Sequence, residues 1–175
     1  MDKRINRLFI EIQSGKEEKF DELYKLTNKY VYFLAYRILG DKMLAEDVMH
    51  DVFISLIKNI KSYNATGNAI GYVSTITKNI ALNKIKKEGR AINCDFAEEA
   101  NSSMIKTADE PIPFIFDVAK RVLSIEEYEL VVLNVISGYK QSEIANIKGE
   151  PVSTINYKIK KALEKIRKEY EEEEV

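Results

Sequence analysis

Along the first half of the chain, apolar residues recur at intervals of three and four. Leu23, Leu26, Tyr30, Phe33 and Leu34 form one such series, and Leu44, Val48, Val52, Leu56 and Ile60 form another. This is the period of helices that turn one face to a core, and there is hardly any period-two alternation. From Met1 to Lys87 the pattern predicts three or four helices. Breaks fall at Ser14-Gly15, at Gly40-Asp41 and at Asn64-Ala65-Thr66-Gly67-Asn68, and Asp41 is placed to cap the helix that follows it. Connections this short suit a compact bundle.

Periodicity is lost over residues 88–112, a polar, acidic stretch with Pro111 and Pro113 at its carboxy end, which predicts a flexible linker. It returns at Phe114. Ser124-Ile125-Glu126-Glu127 has the form of a capping box, in which Ser124 and Glu127 satisfy each other's backbone donors. The helix it opens should run through Tyr128, Val131, Val132 and Val135 and stop at Gly138. Gln141 to Ile147 predicts a short helix, Gly149 a turn, and Ser153 the start of another helix. The expected fold is all-α: two small helical domains, residues 1–87 and 113–175, joined by a flexible acidic linker, the second domain carrying a helix-turn-helix.

Composition agrees with this reading. Of 175 residues 45% are hydrophobic, with only 7 Gly and 3 Pro, which leaves little breaker content for many turns or strands. The apolar runs are short, the amino end has no charged-then-apolar leader, and the single Cys94 cannot form an internal disulfide. A soluble cytoplasmic protein is expected. His50 is the only histidine, and neither a glycine-rich phosphate loop nor a paired metal-ligand spacing is found. No enzyme activity, cofactor or metal is therefore expected.

Net charge is close to zero, with 27 basic and 28 acidic side chains, but the charges are segregated. Residues 1–87 carry 15 basic and 10 acidic side chains, residues 88–112 carry 2 and 6, and residues 113–175 carry 10 and 12. Within the last segment, residues 152–168 hold six basic side chains and one acidic, whereas residues 171–174 are all Glu. Two basic patches separated by an acidic strip point toward a polyanionic partner.

The second patch lies on the expected helix-turn-helix. Ala145 supplies the small residue where two such helices touch, Gly149 the turn residue tolerant of positive φ, and Ile155 an apolar lock. On the last helix Ile155, Ile159, Ala162, Leu163 and Ile166 share one face, opposite Ser153, Tyr157, Lys160, Lys161 and Lys168. A basic face alone also describes a solvated helix; the turn spacing and the capped helix before it favour a major-groove reader. Lys148 and Glu150 stand where such motifs usually bury apolar side chains, so each needs a partner or access to water.

In the first domain, the helix from Asp41 to about Ile60 should turn Ala45, Met49, Val52, Phe53 and Leu56 inward. Asp47, His50, Asp51 and Lys58 lie on the far side with Ile54 among them. Periodicity alone reads this first as a solvated face with one stray apolar residue; its layout is also that of a small protein-binding patch. The helix from about Ala69 to Lys87 should turn Tyr72, Val73, Ile76 and Ile80 inward. It carries Lys78 and Asn79 and ends in Lys84, Lys86 and Lys87, next to a Tyr63-Asn64 loop that could stack a base. A lysine-rich helix end that merely complements the helix dipole fits equally well.

Taken together, the two halves resemble the short, extracytoplasmic-function type of sigma factor of bacterial RNA polymerase, which keeps only regions two and four. "FDELYKLTNKYVYFLAYRILGD" with "AEDVMHDVFISLIKNI" is similar to the first helices of region two. "YVSTITKNIALNKIKK" is similar to the promoter-melting helix, and "GYKQSEIANIKGEPVSTINYKIKKALEKIR" to region four. The resemblance implies an alternative sigma factor that binds core RNA polymerase and directs promoter recognition and melting. It places Asp47, His50, Asp51 and Ile54 on the polymerase clamp, with His50 where the family usually has Gln. Tyr63, Asn64 and Asn68 would belong to the loop that captures a flipped base. Tyr72, Thr75, Lys78 and Asn79 would face the −10 element, with Tyr72 where Trp is common and Thr75 where Arg is frequent. Ser153, Thr154, Tyr157, Lys158, Lys160 and Lys161 would read the −35 element. Promoter DNA and an anti-sigma factor are the further partners implied, and no membrane insertion is. The other reading is a sigma-like helix-turn-helix regulator that never joins the polymerase.

Overall fold

The computed structural model describes residues 2–64, 68–87 and 114–173, and among them every regular element is helical. The first group of helices is α1 (Asp2–Gln13), α2 (Phe20–Leu39), α3 (Lys42–Asn59) and α4 (Ala69–Lys87). The second is α5 (Phe114–Val122), α6 (Ile125–Val131), α7 (Gln141–Lys148) and α8 (Val152–Glu173). The expected linker, residues 88–112, lies outside the described residues.

The helix limits have local causes. Gly40 ends α2 in the left-handed conformation at φ 73°, and its N–H donates to the Tyr36 carbonyl at 2.8 Å. Asp41, extended, then accepts from the Leu44 N–H at 3.0 Å and opens α3, a cap worth about 1 kcal/mol. The Ser124–Glu127 capping box is formed in both directions, with bonds of 3.2 and 3.0 Å. The helix that it opens does not stay α-helical to Gly138: Val132–Ile136 form a π turn, closed by the Ser137 N–H on the Val132 carbonyl at 3.0 Å.

In the first group α2 is central, packed on α1, α3 and α4; in the second, α8 packs on α5, α6 and α7. The two groups share one continuous core, because α2 also meets α6 and the π turn. Tyr30, Val31 and Leu34 of α2 and Tyr128, Leu130 and Leu133 of the second group are all nearly or wholly inaccessible to solvent. The Phe33 and Phe116 rings pack at 4.4 Å between centroids, Tyr36 Oη donates to Asp117 Oδ1 at 2.6 Å, and Arg37 donates to the Leu123 carbonyl at 2.6 Å. Inward-facing residues of α3 follow the wheel, with Met49 only half-buried. In α4 the buried set is shifted to Ala69, Ile70, Val73, Ser74, Thr77, Ala81 and Ile85, leaving Tyr72, Ile76 and Ile80 half-buried. The shift arises because α4 packs on α1, α2, α3 and α7 rather than on one neighbour.

Candidate functional site

On α3, Asp47, His50, Asp51 and Ile54 all reach solvent. Two residues that sequence reasoning passed over extend the patch: Met43 and Ile57 are each 56% exposed, beside Ile54 at 48%. Positions 43, 47, 50, 54 and 57 are spaced four and three apart and therefore form one stripe along the helix. A stripe of three large exposed apolar side chains interleaved with Asp47 and His50 needs a reason that one stray isoleucine does not. Asp47 also meets Lys84 of α4 at 3.4 Å.

The residues assigned to the second patch separate into two environments. Thr75 and Asn79 of α4 are exposed, as is Asn64. Tyr63 is not a free surface ring: it is 6% exposed, lies 4.6 Å from the Phe9 ring and 5.0 Å from the Tyr72 ring, and donates through Oη to Asn6 Oδ1 at 2.7 Å. The aromatic cluster buries Tyr63 because Phe9 of α1 fills the other side of the loop. Asn68 accepts from the Gly71 N–H at 3.0 Å and so caps α4, and its Nδ2 donates to the Ile147 carbonyl of α7 at 3.2 Å. Residues 65–67, between them, lie outside the described residues.

Lys78 is half-buried, and its Nζ lies 2.7 Å from Glu129 Oε2 of α6. Lys148 approaches the same oxygen at 2.9 Å, while Tyr30 and Ser74 each donate to Oε1 at 2.8 Å. Glu129 is 2% exposed. Burial raises its pKa, but the charges of Lys148 and Lys78 and their hydrogen bonds outweigh burial and hold it down at about 2. Beside this group lies an open cleft of about 600 Å³, lined among others by Asn64, Tyr72, Thr75, Lys78 and Lys148.

The third patch is on α8. Gly149 ends α7 at φ 69°, and a short turn leads into α8. Ser153, Tyr157, Lys160 and Lys161 are exposed and Thr154 is half-buried. Lys161 Nζ is 3.3 Å from the Tyr157 hydroxyl and 5.5 Å from its ring centroid, which keeps the two on one surface. Lys158 is engaged elsewhere, at 2.8 Å from Glu126 and 2.9 Å from Glu150. Its pKa is raised by the bonds to Glu126 and then to Glu150.

Both charges at normally apolar positions therefore have partners, Lys148 in Glu129 and Glu150 in Lys158. Leu163, expected inside, is 42% exposed, and with Ile115, Val131, Val135, Ile166 and Tyr170 it lines an apolar groove of about 270 Å³. The last acidic residues pair within α8, Glu171 with Arg167 at 2.7 Å and Glu172 with Lys168 at 3.8 Å. Among the described residues no cluster of three or more His, Cys, Asp or Glu could hold a metal, and no helix is long and apolar enough to cross a membrane.

Among the described residues, then, an exposed apolar stripe lies on α3 and basic side chains on α4 and α8. Residues 23–91 match the family Sigma-70 region 2. Over 97% of its length the chain is 24% identical to the ECF RNA polymerase sigma factor SigW of Bacillus subtilis, covering 98% of that protein. It is 29% identical over 85% of its length to the ECF RNA polymerase sigma factor SigE of Mycolicibacterium smegmatis, covering 60% of it. Its fold is similar to that of the sigma factor RpoE of Bartonella quintana, solved with the anti-sigma factor NepR. The TM-score is 0.60 at 18% identity, covering 88% of this chain and 98% of that one. CnrH, solved with the cytosolic domain of CnrY, gives 0.60 at 16% identity, covering 93% and 94%. The chain thus has Sigma-70 region 2 as its matched family and ECF sigma factors as its relatives. It is an alternative sigma factor acting in transcription initiation.

Proposed function

We propose that the division of labour follows the two helix groups. Residues 1–87 bind core RNA polymerase and the −10 element, residues 113–175 bind the −35 element, and the segment between tethers them in the cytoplasm. The observation that carries the polymerase contact is the α3 stripe, where Met43, Ile54 and Ile57 stand in solvent with Asp47, His50 and Asp51 around them. An apolar anchor with a polar rim is what a compact protein interface requires.

For DNA, exposed Thr75 and Asn79, with Lys78 and Asn64 at the cleft, would hold the melted −10 strand. Tyr72 and Tyr63 would serve mainly as the aromatic support of the loop, and Asn68 as its helix cap. Capturing unpaired bases offsets part of an unstacking cost of a few kcal/mol per step, so melting needs no catalytic residue on this chain. Ser153, Thr154, Tyr157, Lys160 and Lys161 would enter the major groove, with α7 and α8 as the helix-turn-helix. Lys158 acts there as a strut, tying the turn at Glu150 to α6. An anti-sigma partner is in keeping with the complexes of RpoE with NepR and of CnrH with CnrY.

The test is binding of the labelled chain to core polymerase. The Ile54→Glu variant should lose at least tenfold in affinity with no change in thermal melting, since the side chain already faces water. A regulator that never joins the polymerase would not bind core at all, and the substitution would then change nothing.

A further inference from the structure

The cleft beside α4 is walled on its far side by the second helix group. Glu129, Ile147 and Lys148 close it, and Asn68 of the α4 cap is hydrogen-bonded to the α7 backbone. The carboxylate at the centre of this junction is nearly inaccessible and has four partners. Tyr30, Ser74 and Lys78 come from the first helix group and Lys148 from its own. A carboxylate so deeply buried is strongly unfavourable unless compensated, so the packing of the two groups depends on this set of donors and not on apolar contact alone. Lys78, for its part, is a cation on the face assigned to a DNA strand, and its counter-ion in the free chain is an acidic side chain of the same molecule.

We infer that Glu129 is an intramolecular latch: its carboxylate stands in for a DNA phosphate against Lys78 and holds the second helix group over the strand-binding face of α4. In the free chain the latch is shut and Lys78 is occupied, while Thr75 and Asn79 of the same face stay exposed. A phosphate can replace the carboxylate at Lys78, but Glu129 must then leave its buried site, so strand binding and separation of the two groups are coupled. The apparent affinity of the free protein for a single strand is reduced by the fraction of molecules that are open. Docking on polymerase, which engages the α3 stripe and α8 separately, would favour the open form. The proposal rests on reading Thr75, Lys78 and Asn79 as the strand contact.

Two variants of the full-length chain test it. Glu129→Gln removes the charge. The double variant Tyr30→Phe with Ser74→Ala removes two donors across the junction and leaves every charge in place, so a gain in DNA binding cannot come from electrostatics alone. Small-angle scattering should give the wild type a radius of gyration near the value of about 16 Å for a compact chain of this length. Both variants should exceed it by several ångströms while helical circular dichroism is retained. Fluorescence anisotropy with a single-stranded −10 oligonucleotide should show each variant binding about tenfold more tightly, as a tenfold larger open fraction requires.

An unchanged radius in both variants overturns the latch. So does a larger radius with no gain in strand affinity when the wild type does bind the strand. If no form binds the strand although the variants open, the DNA assignment of α4 has failed while the scattering still supports the mechanical latch. Should Glu129→Gln lose its helical signal, the double variant decides the matter by itself.

Discussion

Lowering the pH should unlock the junction at Glu129 in a calculable way. The carboxylate faces Tyr30 of α2, Ser74 and Lys78 of α4 and Lys148 of α7, with Tyr139 close to Tyr30. Its ordinary pKa of 4.5 falls to about 2 in the folded chain. A depressed carboxyl pKa stabilises the folded form above the unfolded value and ceases to do so as pH falls toward the folded one. The full difference is on the order of 3 kcal/mol, of which about 2 kcal/mol should be gone by pH 3. Urea unfolding of wild type and Glu129→Gln at pH 7, 5 and 3 isolates this group, because all other carboxylates titrate in both proteins. The stability advantage of the wild type should be largest at pH 7, little changed at pH 5, and smaller by about 2 kcal/mol at pH 3. An advantage that stays constant over this range would show that the two lysines do not hold an ionised carboxylate.

Three further outcomes are expected. Lys160→Ala and Lys161→Ala should each reduce the salt slope of binding to a −35 duplex by about 1, as the loss of one phosphate contact does; Lys158→Ala should leave that slope nearly unchanged. The same Lys158→Ala substitution removes the links to Glu126 and Glu150 and should lower the melting temperature by at most a few degrees, since solvent-screened ion pairs contribute little. Gly71→Ala would drive a Cβ into the Asn68 side-chain amide. It should displace the cap of α4, which calorimetry would register as destabilisation of about 1 kcal/mol.

The helices and their caps were legible in the sequence because each is specified by neighbours a few residues away. Asp41 and Leu44, Ser124 and Glu127, and Gly149 all act within one turn. What was not legible depends on residues distant in sequence. Glu126, Glu127 and Glu129 are indistinguishable by type, yet only Glu129 is buried, because α2 packs on its side of α6 and Ser74 and Lys78 of α4 reach its carboxylate. The sequence could have warned of it: Tyr128, Leu130, Val131, Val132 and Leu133 leave that segment no polar face, so the glutamate among them had to meet a partner. Lys148 and Glu150 looked misplaced because their partners lie 19 and 8 residues away. Tyr63 resembled an exposed stacking ring until Phe9, from the other end of the domain, covered it. Leu163 obeys the helical period but faces the groove beside Ile115 and Val135 instead of the core. Met43 and Ile57 followed the same spacing as Ile54 and could have been found by extending that stripe.

We propose that this chain joins core RNA polymerase and gives it promoter specificity through two separate DNA-reading faces. Runoff transcription with purified core enzyme on the gene's own upstream region tests that most directly. The chain should direct a discrete transcript that core alone does not make, and that transcript should disappear with Ile54→Glu. A polymerase whose output is the same with and without the chain, on a template that the chain nevertheless binds, would contradict it.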